Sequence, residues 1–490
     1  MSSPAQPEFG GRKISTSRRW LQPRVSKEQL YRLAPRKERP ARLGEHTAWD
    51  RIRFALRSWV LWLVAAFTLS LAGQRLAAIF AAAVAAVLNL ARPRFHPAVY
   101  PIESKLAPGS PEFGVTMGGV TGTAYLPGNQ VRILNNGDEF YPAMLDAIEA
   151  AAYSVTMEQY IFWDGSVGLR FAEALATRAR AGIPVKLLVD AVGSATIGEN
   201  LLRILEAAGC QLAWFHPIRW FTLARANNRT HRKSIIVDGQ VAFTGGAGLA
   251  DQWLGAGGAP MEWRDLMVRT EGPAALAQQA GFAQNWMQTT GEILAGRAFF
   301  PNPEPCGDVA VQTILSSPAG GSGTAGTMYL LALQSAQRYV WIANPYFIPS
   351  SAVIDLLSRA VRRGVQIRLM VAGAHSDTWW ARQNSVRLYG KLLRAGVEIY
   401  EYLPSMLHHK TMVVDGSWAT VGTTNFDNRS FAFNEETNLC FSDARIIADL
   451  ERIFADDLRR SRRVQLDEWR RRSLWRRLSE EAASLIEDQV

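Results

Sequence analysis

Two stretches of this 490-residue chain carry the pattern His-x-Lys-x-x-x-x-Asp. The first holds His231, Lys233 and Asp238 in NNRTHRKSIIVDG, the second His408, Lys410 and Asp415 in PSMLHHKTMVVDG. Each opens a short apolar run, SIIV or TMVV, that reads as a buried strand, and each ends in an Asp-Gly turn signal. Small residues follow both copies, in FTGGAG from Phe243 and TVGTTN from Thr420. The chain has only seven histidines, so two copies with matching flanks are not an accident of scanning.

Residues i and i+2 of a strand share a face. His231 and Lys233 therefore point one way, as do His408 and Lys410. If the copies meet, two imidazoles and two ammonium groups converge on one spot, which suits a phosphodiester. The lysines offset charge on the non-bridging oxygens as it develops. One imidazole attacks phosphorus; the other protonates the leaving oxygen and later deprotonates the incoming nucleophile. Imidazole titrates near neutrality and can take either part. The lysines supply the positive charge, so the pattern calls for neither metal nor cofactor. Asp238 and Asp415 belong to the motif as candidate site residues. They lie seven residues past their histidines, at the far end of the strand, where holding the fold is the simpler job.

The duplicated motif and its flanks resemble the phospholipase D superfamily and, within it, the bacterial cardiolipin synthases. The resemblance runs from about Val131 to the C-terminus. It rests also on QVRILNNGDEFYPAMLDAI, EQYIF, GIPVKLLVDAVGS, NPYFIPS, YGKLLRAGVEIYEY and VGTTNFDNRSFAFNEE. The resemblance implies two fused, pseudo-symmetric α/β halves, a phosphohistidine intermediate and phosphatidyl transfer. It further implies that Asp265, in EWRD, and Glu436, in NEETN, each orient the histidine of the opposite half. Asn425, in Gly422-Thr423-Thr424-Asn425, is a phosphate hydrogen-bond donor on this reading. The first copy reads Gly245-Gly246-Ala247-Gly248, with Gly248 where the family carries Asn. Gly245 and Thr423 complete the supporting candidates beside the two motifs. His409 alternates to the other face of its strand.

Strands alternate with helices through both motif regions, and the order repeats after about 180 residues. That period suits a duplicated α/β domain rather than a solenoid. The expected organisation is a basic, disordered arm at 1–57, apolar helices at 58–91, a Pro- and Gly-rich linker at 92–129, a first half at 130–305, and a second half at 306–490 ending in basic helices. The net charge of +10 fits an anionic partner. The three cysteines, Cys210, Cys306 and Cys440, are too scattered for a disulfide framework or a zinc site.

The runs Trp59–Gly73 and Leu76–Leu90 are each shorter than the roughly 30 Å needed to cross a hydrocarbon core. They read as an apolar helical hairpin turning at Gly73-Gln74-Arg75; a single tilted span with an interfacial helix, or an Ala-rich core hairpin, are the alternatives. The basic arm marks its own side as cytoplasmic, so the catalytic region is expected on the cytoplasmic face of a bacterial inner membrane. Trp214, Phe215, Trp220 and Phe221 fit core positions first; with Arg219 among them, the alternative is a lip at a lipid interface. Trp469 and Trp475, interleaved with arginines, suit an anionic bilayer surface.

The reading is a phosphatidyltransferase that makes cardiolipin from two phosphatidylglycerol molecules and releases glycerol. His231 is taken as nucleophile and His408 as general acid/base, although motif order alone does not decide between them. The alternative is a phospholipase D-type phosphodiesterase or nuclease with water as acceptor. The apolar segment argues against nucleic acid as partner. A non-catalytic membrane scaffold would not need two intact motifs.

Overall fold

The computed structural model describes residues 59–90, 106–218, 227–318 and 323–484. The basic arm, and Arg219, Trp220 and Phe221 of the candidate lip, lie outside those residues.

Apolar runs such as VKLLVD and QIRLMVA form strands buried on both faces, as parallel pairing under covering helices requires. The first half contributes β1 (Tyr125–Asn135), β2 (Val155–Gln159), β3 (Val185–Asp190), β4 (Gln211–Phe215), β5 (Arg229–Thr230), β6 (Ser234–Val237), β7 (Val241–Gly245), β8 (Trp263–Arg264) and β9 (Leu266–Glu271). The second contributes β10 (Val309–Ser316), β11 (Tyr339–Ala343), β12 (Gln366–Ala372), β13 (Glu398–Tyr402), β14 (Met406–Leu407), β15 (Lys410–Val414), β16 (Trp418–Gly422), β17 (Asn434–Phe441) and β18 (Ser461–Arg463). One continuous sheet runs β18-β13-β12-β11-β15-β16-β17-β10-β1-β9-β7-β6-β2-β3-β4. It reads the same outward in both directions from the antiparallel β1–β10 seam, where Tyr125 faces Gln312. The chain is therefore a mixed α/β protein of two repeated halves, and β6 and β15 take equivalent places.

The stretch expected as a linker contains a helix, Pro111–Thr121. Pro111 sits in its first turn, and the Ser110 hydroxyl accepts from the Phe113 amide at 3.1 Å. Phe113 and Met117 are buried in the core of the second half, with Phe113 edge-on to Trp418 at 5.9 Å. Its glycines disguise it: packing, not propensity, makes this helix. Nearer the N-terminus, helices Trp59–Leu71 and Arg75–Leu90 are joined by a turn in which the Gln74 amide donates to Leu69. Trp62 and Phe80 meet edge-to-face at 6.3 Å. Among the described residues, no helix is long and apolar enough to cross a membrane.

The two motif aspartates serve the fold. Asp238 accepts from the amides of Ala152, Tyr153 and Ser154 at 3.0, 2.7 and 2.8 Å. Asp415 accepts from those of Gln337, Arg338 and Tyr339 at 2.8, 2.7 and 2.8 Å. Each clamps the entry to β2 or β11 onto the far end of β6 or β15. Both sit at positive φ, +56° and +54°, a conformation that Asp and Asn tolerate better than most residues. Motif spacing groups them with the cleft residues, but all of this bonding lies at the opposite end of the strand. Asp415→Ala should cost about 2–3 kcal/mol, because three amides lose a charged acceptor. Asp415→Asn should recover part of that loss. Denaturant unfolding of both variants checks this, with turnover per folded molecule unchanged.

Candidate active site

Two short strand pairings carry the histidines to one place. β5 runs parallel to the start of β17, with Thr230 opposite Glu435. β14 runs parallel to β8, with Leu407 opposite Arg264. The ladders continue into the next residues: the His231 amide donates to Glu435 O at 2.9 Å, and the His408 amide to Arg264 O at 2.8 Å. Each histidine is thus stitched to the other half. One residue further on, each partner strand supplies a carboxylate. His231 Nδ1 lies 3.1 Å from both oxygens of Glu436, and His408 Nδ1 lies 2.7 Å from Asp265 Oδ2.

These bonds place the proton on Nδ1 and make each Nε2 an acceptor, which in His408 faces the Lys410 ammonium. Both carboxylates are fully buried, and each has further support. The Trp253 indole N–H donates to Asp265 at 2.8 Å. Glu436 takes the Thr423 hydroxyl and the Asn434 amide. Gly246 stands where the second half has Thr423, so the Trp253 indole supplies in one half what a hydroxyl supplies in the other.

Lys233 and Lys410 are buried beside their histidines. Lys233 Nζ donates to His231 O at 3.0 Å and lies 5.4 Å from the Tyr160 ring centre. Lys410 Nζ lies 3.2 Å from His408 Nε2. The intervening residues point to the opposite face. Arg232 pairs with Glu435 at 3.0 Å, and His409 meets Asp457 at 3.3 Å.

Gly245 provides no ligand. A Cβ there would come within 2.2 Å of Leu266 O, so glycine lets β7 approach β9. Asn425 is half-buried, and its Oδ1 has no hydrogen-bond partner among the described residues. At Gly248, a Cβ would meet Ile161 Cβ at 2.8 Å, so the Ile161 side chain takes the room an asparagine would need.

Sequence reasoning missed the aromatic frame. Tyr160 meets His231 edge-on at 5.1 Å, while Trp253 and Trp263 lie 5.5 and 5.0 Å from His408. Tyr160, Trp263 and Asp377 line a cavity of about 400 Å³. Their only sequence signal is the position of Tyr160 inside EQYIF and of Trp263 beside Asp265.

Burial sets the charge states. It pushes His231 down to about 4 against the pull of Glu436, and His408 down to about 3 with help from Lys410. Burial also lowers Lys233 to about 7, with Lys410 adding repulsion, and Lys410 to about 8. Burial works to raise Asp265, but the bond and field of His408 prevail and hold it at about 2. Each lysine acts on the other half's histidine, as convergence of the four groups requires.

The pH profile follows. Both imidazoles keep their lone pairs down to acid pH, so the acid limb of kcat/KM should lie below about pH 5. A lysine with a lowered pKa sheds its proton as pH rises. The alkaline limb should therefore fall between about pH 7 and 8, and Lys233→Arg should move it upward while lowering the plateau. Initial rates on a phosphodiester substrate from pH 4 to 10 check this; a profile flat to pH 9.5 would contradict it.

Comparison with known proteins agrees with this geometry. A family model described as cardiolipin synthase, PLD-like domain, matches residues 144–281 and 329–458. Cardiolipin synthase 1 of Bacillus anthracis is 33% identical over 365 residues, covering 72% of this chain and 71% of the relative. Cardiolipin synthase A of Pseudomonas putida (strain GB-1) is 33% identical over 362 residues, covering 74% and 75%. The crystal structure of a phosphatidylserine synthase from Haemophilus influenzae shares the fold at a TM-score of 0.60 and 11% identity, over 77% of this chain and all of that one. Two matched segments, two intact motifs and relatives aligned over most of their length make this chain a member of the cardiolipin synthase family of phospholipase D-like enzymes.

Proposed function

We propose that this enzyme moves a phosphatidyl group from one phosphatidylglycerol to the glycerol hydroxyl of a second, giving cardiolipin and glycerol. The observation that carries this reading is the crossed pair of histidine–carboxylate bonds, which supplies two separately oriented imidazoles to one buried cleft. His231 Nε2 attacks phosphorus while Glu436 holds its Nδ1 proton. The bond from phosphorus to the glycerol headgroup oxygen breaks; His408, brought to its imidazolium form by a solvent proton once the anionic substrate is bound, gives that Nε2 proton to the oxygen as glycerol leaves. His408, neutral again, then takes the proton of the second lipid's hydroxyl. That oxygen attacks phosphorus, the bond to His231 Nε2 breaks, and cardiolipin forms. Lys233 and Lys410 neutralise the non-bridging oxygens, with the Asn425 side chain as a further donor. The arriving anion restores the lysines' preference for their protons.

Membrane association belongs to this proposal. Helices of 13 and 16 residues reach about 20 and 24 Å. As a hairpin they would dip into one leaflet and return, leaving the basic arm and the catalytic halves on the cytoplasmic face. An acceptor held at a lipid surface outcompetes water through effective molarity. A phospholipase with the same site would instead release phosphatidic acid.

With phosphatidylglycerol vesicles, cardiolipin and glycerol should be the main products by mass spectrometry; phosphatidic acid as the main product would make the enzyme a hydrolase. His231→Ala and His408→Ala should each lower turnover by at least about 100-fold. A phosphoenzyme should be trapped from an activated donor in His408→Ala but not in His231→Ala. The reverse pattern would exchange the two roles.

A further inference from the structure

The helix Leu474–Ala483 packs with its polarity reversed. Toward the body it turns Glu480 and Ala483, both buried. Glu480 takes the Arg472 guanidinium at 2.8 and 3.0 Å, and Ala483 O accepts from Asn384 at 2.9 Å. The opposite face carries Leu474, Trp475 and Leu478, which are 74%, 81% and 60% exposed. At about 100° per residue these three share one narrow stripe, roughly opposite Glu480 and Ala483. A surface helix ordinarily buries its leucines and shows its glutamates.

Arginines surround the stripe. Neighbouring carboxylates are taken: Glu480 by Arg472, Asp467 by Arg470, Glu468 by Arg462. Arg471, Arg476 and Arg477 are exposed and enter no ion pair among the described residues. A hollow of about 910 Å³, lined in part by Arg471, Arg476 and Trp379, opens beside this helix. Trp379 and Trp380 are about half exposed, with rings 4.7 Å apart. Two residues before Trp379, Asp377 lines the cavity of about 400 Å³ whose wall includes Tyr160 and Trp263, the ring neighbours of His231 and His408, together with the exposed Val192.

We propose that Leu474, Trp475 and Leu478, together with Trp379 and Trp380, form a docking face for an anionic lipid bilayer, and that docking brings the cavity beside the catalytic histidines to the lipid. This rests on the phosphatidyl-transfer reading. Leucine and tryptophan flanked by unpaired arginines match the boundary between acyl chains and anionic headgroups. A second copy is the poorer occupant, because a two-fold contact would press these arginines against their own counterparts.

The test uses the full chain with Cys306→Ser and Trp475→Cys, labelled at position 475 with an environment-sensitive fluorophore. In phosphatidylglycerol vesicles the emission should shift to the blue and be quenched by a lipid carrying a mid-chain spin label. Phosphatidylcholine vesicles should give much less of both. No shift in phosphatidylglycerol overturns the proposal, as does a shift that needs no lipid and grows with protein concentration, which would mean self-association. The double variant Leu474→Glu, Leu478→Glu should lose about tenfold in turnover of phosphatidylglycerol vesicles. Its turnover of a short-chain, monomeric phosphatidylglycerol should match the unaltered enzyme; equal loss on both substrates overturns the proposal. Should the unaltered enzyme prove a hydrolase, the reading of function falls while the fluorescence result still decides docking.

Discussion

The hydrogen bonds from His231 to Glu436 and from His408 to Asp265 cross the boundary between the halves, spanning 205 and 143 residues of sequence. Much of the molecule serves them. The seam at β1 and β10 fixes the halves back to back. The parallel pairings β5–β17 and β8–β14 bring each carboxylate within one residue of register with its histidine. The aspartate clamps hold the motif strands against their neighbours from the far end. A one-residue slip in either short pairing would turn the carboxylate to the other face and leave an imidazole with no orienting acceptor.

The cleft is electrostatically self-contained. Two buried ammonium groups face two buried carboxylates, with neutral imidazoles between them. An isolated buried ammonium ion would be costly enough to give up its proton. Here the carboxylates keep the lysines near the edge of ionisation. A bound phosphodiester adds negative charge where the positive charge is least comfortable, so the same burial that weakens the lysines at rest strengthens their grip on substrate.

The site was legible where its logic is local. Alternation along β6 and β15 separates His231 and Lys233 from Arg232, and His408 and Lys410 from His409, without any tertiary information. The α/β repeat was equally plain, because each half repeats the same order of apolar runs. Other features depend on contacts that leave no local trace. The helix Pro111–Thr121 exists because Phe113 meets Trp418 across roughly 300 residues. The vacancy at Gly248 belongs to Ile161, in a different strand-end loop. The indole of Trp253 stands in for a hydroxyl that only the other half retains. The aspartates were legible from spacing alone: seven residues along a strand and its turn carry a side chain to the other end of the sheet, where holding the fold is its job.

Because each histidine is finished by the partner half, the order of synthesis matters. When His231 is added to the growing chain, its acceptor is still 205 residues from being made. At typical elongation rates that is a delay of about 10–40 s. During that interval the first half can fold its core, but its imidazole has no fixed tautomer and faces no second histidine. A nascent chain already close to its lipid substrate is thus chemically silent until the last strands of the sheet are laid down. Duplication and crossing give the enzyme a built-in delay between reaching its substrate and acquiring the power to cut it.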